Sequence, residues 1–253
     1  MNIPGLLLLF VASVFGGAVN SVAGGGSLIT FPSLIAFGVP AVMANATNTA
    51  ALLPGSISSA IAYRQDIPSQ RRLLMTLMLP SIVGGLLGAV ALIAAPEVFS
   101  KIVPFLVLFA TLLFAGRNLF NRMTKVDGDK PVSWAGNVWG VLFQLAVAAY
   151  GGYFGAGIGI LMLASLSIMG LHNIHRMNAV KTVLAATING VALIYFILRN
   201  QIAWPLAILM AVGAVIGGYT GARLAKRINQ NVVRAFVVIA GLLVSIWLFI
   251  RPL

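Results

Sequence analysis

Cysteine is absent from the 253 residues, which excludes disulfides and thiol chemistry and says nothing about compartment. Acidic residues number only four: Asp66, Glu97, Asp127 and Asp129. All of them fall at or between the ends of apolar runs, so no carboxylate relay is available at membrane depth. Cation transport, or proton coupling through buried Asp or Glu, is therefore disfavoured. The two histidines, His172 and His175, lack cysteine or carboxylate neighbours and make a poor metal site, and no cofactor is implied. No Ser/His pair, paired carboxylates or metal cluster falls within an apolar run, which argues against an intramembrane enzyme. The amino terminus has no basic segment before its first apolar run, so a cleaved signal peptide is not expected.

What the chain has in abundance is apolar sequence: 60% of residues are hydrophobic, 8% are charged, and the mean hydropathy is +1.03. A hydrocarbon core of roughly 30 Å needs about 20 apolar residues per crossing. Runs of that order occur at Ile3–Ala23, Ala41–Tyr63, Leu73–Ala95, Ile102–Phe120, Trp134–Phe154, Ala179–Leu198, Ile202–Leu224 and Val232–Ile250. The expected fold is an all-α integral membrane protein of eight main apolar helices plus two short Gly-rich broken segments. The net charge of +12 sits at the ends of the apolar runs, where cytoplasmic loops carry it, rather than in a patch suited to nucleic acid.

The segment from Asn20 to Pro32 carries three consecutive glycines, Gly24, Gly25 and Gly26, followed by Ser27. Backbone groups freed by such a break must be buried in protein or line a cavity, because lipid cannot bond to them. Shifted by 133 residues, the chain matches itself: Gly24 falls on Gly157, Gly26 on Gly159, Asn45 on Asn178 and Thr49 on Thr182. Gly84, Gly85 and Gly88 then fall on Gly217, Gly218 and Gly221, more coincidences than the roughly one or two expected by chance. The chain divides into a transmembrane repeat at 1–125, a cytoplasmic linker at 126–133 and a second repeat at 134–253.

Basic residues set the direction of the halves. Arg64, Arg71 and Arg72 form one group, Arg117, Arg122, Lys125 and Lys130 a second, and Arg223, Lys226, Arg227 and Arg234 a third. All three reach the cytoplasm only if the Gly-rich segments also cross, which gives two inverted repeats with both termini outside. Parallel repeats with re-entrant Gly-rich turns are the competing topology. Inverted repeats with broken helices near the midplane recur among secondary transporters.

Candidate binding residues in the first half are Asn20, Gly24, Gly25, Gly26, Ser27, Asn45, Thr47, Asn48 and Thr49. A helix starting near Ser27 would aim its free N–H groups and positive dipole end at the break, which suits an anion, and the amides and hydroxyls can donate to oxyanions. The second half offers Gly155, Gly157, Gly159, Asn178, Lys181 and Thr182. Lys181 aligns with Asn48; it either faces an internal cavity or snorkels to the interface. Glycines throughout are also open to a packing role, which is the favoured reading for the GGxxG segments at Gly84 and Gly217.

The stretch Asn20 to Pro32 with Asn45-Ala-Thr-Asn-Thr, repeated as Gly151 to Gly159 with Asn178-Ala-Val-Lys-Thr, resembles the sulfite exporter TauE/SafE family of bacterial membrane transporters. The resemblance covers nearly the whole chain. It implies transport of a small sulfur oxyanion such as sulfite, thiosulfate or an organosulfonate across the bacterial inner membrane. An anion channel and a non-transporting membrane scaffold or assembly protein are the alternatives. The partners implied are a small anionic substrate and the lipid bilayer; no nucleic acid is expected, and a homo-oligomer is left open.

Overall fold

The computed structural model describes residues 3–23, 25–62, 67–123, 134–171, 173–224 and 230–250. It is helical throughout, with ten α-helices among the described residues. In chain order these are α1 (Ile3–Ala23), α2 (Ser27–Ala36), α3 (Ala41–Ala62), α4 (Arg71–Ala94), α5 (Pro96–Met123), α6 (Trp134–Tyr153), α7 (Ile158–Ile168), α8 (Ile174–Leu198), α9 (Trp204–Leu224) and α10 (Gln230–Ile250). A 3₁₀ turn at Pro68–Gln70 leads into α4.

Among the described residues, five helices are long and apolar enough to cross a bilayer: stretches of α1, α4, α5, α8 and α9. That is fewer than the eight apolar runs expected from the sequence. Helix α3 falls short because it carries Asn45, Thr47, Asn48, Thr49 and Ser56. The outer surface is studded with large apolar side chains such as Leu7, Leu79, Phe105, Ile208 and Ile246, the face a helical bundle presents to lipid.

Helix α1 packs chiefly on α9, and α4 chiefly on α6. Both contacts are made through glycine. A methyl group placed on Gly217 would lie 1.8 Å from the Val14 carbonyl oxygen, and one on Gly221 would lie 2.6 Å from Ala18 Cα. On α4, Gly84 and Gly88 meet the Leu145 and Ala149 carbonyls in the same way, at 2.5 and 2.0 Å. The packing role expected for both GGxxG segments is what the structure has, since small residues let backbones approach where lipid supplies no hydrophobic drive.

The partner residues also fix directions. Ser13, Val14 and Ala18 meet Gly213, Gly217 and Gly221 in rising order, so α1 and α9 run parallel. Gly84 and Gly88 meet Leu145 and Ala149 in rising order, so α4 and α6 do too. Helix α3 also runs with α9: Thr47 accepts a bond from the Ala203 N–H at 3.0 Å, and further along Gly55 faces Ala214. Helices α2 and α7 are short arms that fold back along α1 and α6. Gly16 lies against Thr30 and Gly26, and Ile158 lies against Gly151.

Candidate functional site

The two helix breaks meet at a shared internal cavity of about 50 Å³. Asn20 reaches it from the end of α1 and Ser27 from the start of α2, while Gly155, Ile158 and Gly159 come from the second break and the start of α7. Helix α3 contributes Asn48, Thr49, Leu52 and Ser56; α8 contributes Lys181, Thr182, Ala185 and Asn189. Each α8 residue lies 133 positions after an α3 residue of the set. Phe154 forms one wall.

Why the chain breaks here is local. At the second break Gly155 and Gly157 take φ of +78° and +77°, a left-handed conformation that costs an L side chain about 1–2 kcal/mol. Phe154 and Gly155 close α6 with bonds to the Tyr150 carbonyl at 2.9 and 3.1 Å, and α7 restarts with Ile158 and Ile160 donating to Gly155 and Gly157. Neither α2 nor α7 has a side-chain N-cap. Two helix N-termini, each equivalent to roughly half a positive charge, therefore border the cavity.

Lys181 is 6% exposed and faces this cavity rather than the interface. A buried ammonium inside an apolar bundle requires a polar or anionic environment, and the cavity wall supplies amides and hydroxyls. Thr30, fully buried behind Ser27, donates its hydroxyl to Asn48 Oδ1, and Asn48 Nδ2 donates to Ser27 Oγ at 3.1 Å. Among the described residues no group of His, Asp or Glu is placed to hold a metal. Glu97, in the first turn of α5, is exposed.

Of the candidates named from sequence, Asn20, Ser27, Asn48, Thr49, Gly155, Gly159, Lys181 and Thr182 border the cavity. The other described candidates are elsewhere. Gly25 packs on the Phe114 ring and Gly26 on the Gly16 carbonyl, where a methyl would sit at 2.6 and 2.3 Å. Asn45 donates to the Tyr153 carbonyl at 3.1 Å, tying α3 to the end of α6, and Thr47 ties α3 to the start of α9. Gly157 shapes the turn beside Ala110, and Asn178 accepts the Thr182 hydroxyl on its carbonyl one turn earlier in α8. Gly24 and His172 lie outside the described residues, as do Asp66, Asp127 and Asp129.

Sequence reasoning passed over Ser56, Asn189, Thr30 and Phe154. Ser56 lies eight residues after Asn48, two turns along one helix face, and the 133-residue shift carries it to Asn189. That signal was available. Phe154 and Thr30 had none, since nothing in the local sequence separates them from other core positions.

A helical bundle with an apolar exterior, several helices able to span a membrane and a polar, lysine-lined cavity between two broken helices fits a multi-pass membrane protein of transporter type. The chain belongs to the sulfite exporter TauE/SafE family, whose profile it matches over residues 9–248. It is 28% identical over 243 residues to a "Probable membrane transporter protein" of Haemophilus influenzae, covering 95% of this chain and 92% of that one. It is 29% identical over 250 residues to the "Probable membrane transporter protein ORF9" of a Sinorhizobium species, covering 98% and 93%. It is 30% identical over 245 residues to the "Probable membrane transporter protein YfcA" of Escherichia coli K12, covering 94% and 87%.

Proposed function

We propose that the protein is an inner-membrane transporter that exports a small sulfur oxyanion, sulfite or an organosulfonate, by alternating access. The observation that carries the reading is the convergence of buried Lys181 with the uncapped starts of α2 and α7 on one internal cavity. Lysine and two helix N-termini together present about two positive charges to an anion. Size points the same way. At about 50 Å³ the cavity has room for a ligand of a few heavy atoms.

The reading includes two inverted repeats. Their support is the matching order of elements and the matching partners: α1 lies on α9 as α6 lies on α4, and α3 on α9 as α8 on α4. Helices α1, α3 and α9 run together and α4 runs with α6; Asn45, near the start of α3, meets the Tyr153 carbonyl at the end of α6, which supports opposite directions for the two sets. In that arrangement Arg71, Arg72, Arg117, Arg122, Arg176 and Arg223 all fall at helix ends on one side, the cytoplasm by the positive-inside rule. Relative rocking of the halves about the shared cavity would then expose it alternately to each side.

Export needs no coupling ion. An inside-negative potential is worth roughly 2.3 kcal/mol per charge per 100 mV, and it drives an anion outward. The test is efflux of labelled sulfite, thiosulfate and a short organosulfonate from liposomes holding the purified protein, at imposed potentials. Saturable efflux accelerated by an inside-negative potential is expected. A requirement for a proton or sodium gradient would refute uniport, non-saturating flux would favour a channel, and no flux with any of the three would refute transport of sulfur oxyanions.

A further inference from the structure

The cavity walls supplied by the two halves solve one electrostatic problem in different ways. In the second half Lys181 faces the cavity, and an ammonium can only donate. The aligned residue in the first half is Asn48, whose amide has a donor side and an acceptor side. Turned one way it attracts an anion; turned the other way it repels one.

The surroundings of Asn48 decide which way it turns. The Thr30 hydroxyl has one proton and two acceptors in reach, Asn48 Oδ1 and the Gly26 carbonyl at 3.1 Å. The Gly26 carbonyl already accepts the N–H groups of Ile29 and Thr30 at 3.0 and 3.1 Å, so both its lone pairs are occupied. The Thr30 proton therefore goes to Asn48 Oδ1, which commits the amide nitrogen to Ser27 Oγ at 3.1 Å. With its oxygen accepting from Asn48, Ser27 donates to no protein group among the described residues, and its proton is left for the cavity. In the second half the positions aligned with Ser27 and Thr30 are Ile160 and Leu163, both buried. A lysine needs no orienting partner, and there it has apolar residues in those places.

We infer that Thr30 is a positioning residue for an anion in this cavity. Through Asn48 it aims the hydroxyl of Ser27 at the ligand, and it sets the sign of charge that the first half of the cavity accepts. The inference rests on the reading of the cavity as an anion site.

The test compares wild type with Thr30→Val, Thr30→Ser, Ser27→Ala and the double variant Thr30→Val/Ser27→Ala. The readouts are sulfite-dependent thermal stabilisation of the solubilised protein and sulfite flux in liposomes. Thr30→Val, which keeps the shape and loses the hydroxyl, should raise the apparent sulfite KM and dissociation constant by about tenfold, the scale of one lost hydrogen bond. Maximal flux should stay near wild type, and the ligand-free melting midpoint should fall by only a few degrees, because the buried Asn48 Oδ1 loses its donor. Thr30→Ser should restore binding. Ser27→Ala should show a similar loss without touching Thr30, and the double variant should be no weaker than Ser27→Ala alone, because both act in one relay. Wild-type affinity in Thr30→Val, additive losses in the double variant, or no rescue by serine would overturn the relay while leaving the anion site standing. If sulfite, thiosulfate and sulfate all fail to stabilise the wild type, the anion site falls and the relay falls with it.

Discussion

Adjacent glycines on α9 should respond in opposite ways to the same substitution. Gly217 faces the α1 backbone: a methyl there would lie 1.8 Å from the Val14 carbonyl oxygen and 2.9 Å from Val14 Cα. Methyl carbons essentially never come within 3.0 Å of such atoms, so 3.0 less 1.8 requires α1 and α9 to part by more than 1 Å. A gap of that size forfeits a quarter to a half of the dispersion energy of the atoms it separates. Overpacking of this kind costs about 1–3 kcal/mol, and this case belongs at the upper end because the obstacle is backbone. Replacing a helical glycine with alanine returns about 1 kcal/mol, leaving a net loss of roughly 2 kcal/mol. Gly218, one residue on, would meet only the Gly17 carbonyl, at 3.9 Å, an ordinary contact. Gly218→Ala should therefore keep the helix-propensity gain with no clash. At about 2–4 °C per kcal/mol for a chain of this length, Gly217→Ala should lower the melting midpoint of the solubilised protein by about 4–8 °C. Gly218→Ala should leave it unchanged or raise it slightly. Equal shifts, or a more damaged Gly218→Ala, would refute the direct backbone contact between α1 and α9.

Further outcomes follow from the cavity and its walls. Lys181→Gln keeps a donor and removes the charge; a unit pair about 4 Å apart at an effective dielectric near 20 is worth about 4 kcal/mol before desolvation is offset, so the sulfite KM should rise by about 100-fold. Liposome flux checks this, and a KM within a few-fold of wild type would remove Lys181 from the site. Gly157→Ala meets only Ala110 at 3.6 Å or beyond, so its penalty is left-handed strain alone, about 1–2 kcal/mol, and Gly157→Asn should be milder. Melting midpoints of the two variants check it, and equal losses would refute the assignment. Phe154 packs edge-on against Phe31 with ring centres 5.3 Å apart and walls the cavity. Because the chain has no cysteine, Asn189→Cys is a clean reporter: a membrane-impermeant thiol reagent should label it faster when Phe154 is alanine, and an unchanged rate would refute the ring as a barrier.

Much of this architecture could be read in one dimension, because membrane insertion depends on local composition. Apolar runs near 20 residues long predicted where the long helices lie: Trp134–Phe154 became α6 ending at Tyr153, whereas α5 and α8 begin at Pro96 and Ile174, before the runs expected from Ile102 and Ala179. The glycine breaks were equally legible, since three consecutive glycines or a Gly-x-Gly cannot continue a helix without cost. The choice between Asn48 and Asn45 as a cavity residue was not. They lie three residues apart on α3, near enough in angle that either could have faced inward. What separates them is their neighbours: α6 ends where Asn45 can bond the Tyr153 carbonyl, whereas Asn48 looks across to α8.

Composition and the 133-residue recurrence alone determined that the chain is helical, that it belongs in lipid, and that a glycine-rich break recurs 133 residues on, because these depend only on residue types and their order. Tertiary structure decided which glycines touch a neighbouring backbone, that Lys181 is buried rather than snorkelling, and that Thr30 stands behind Asn48. Each of those facts is a distance between segments far apart in the chain, and the free energy that selects such distances is that of packing and buried hydrogen bonds, which no single segment contains.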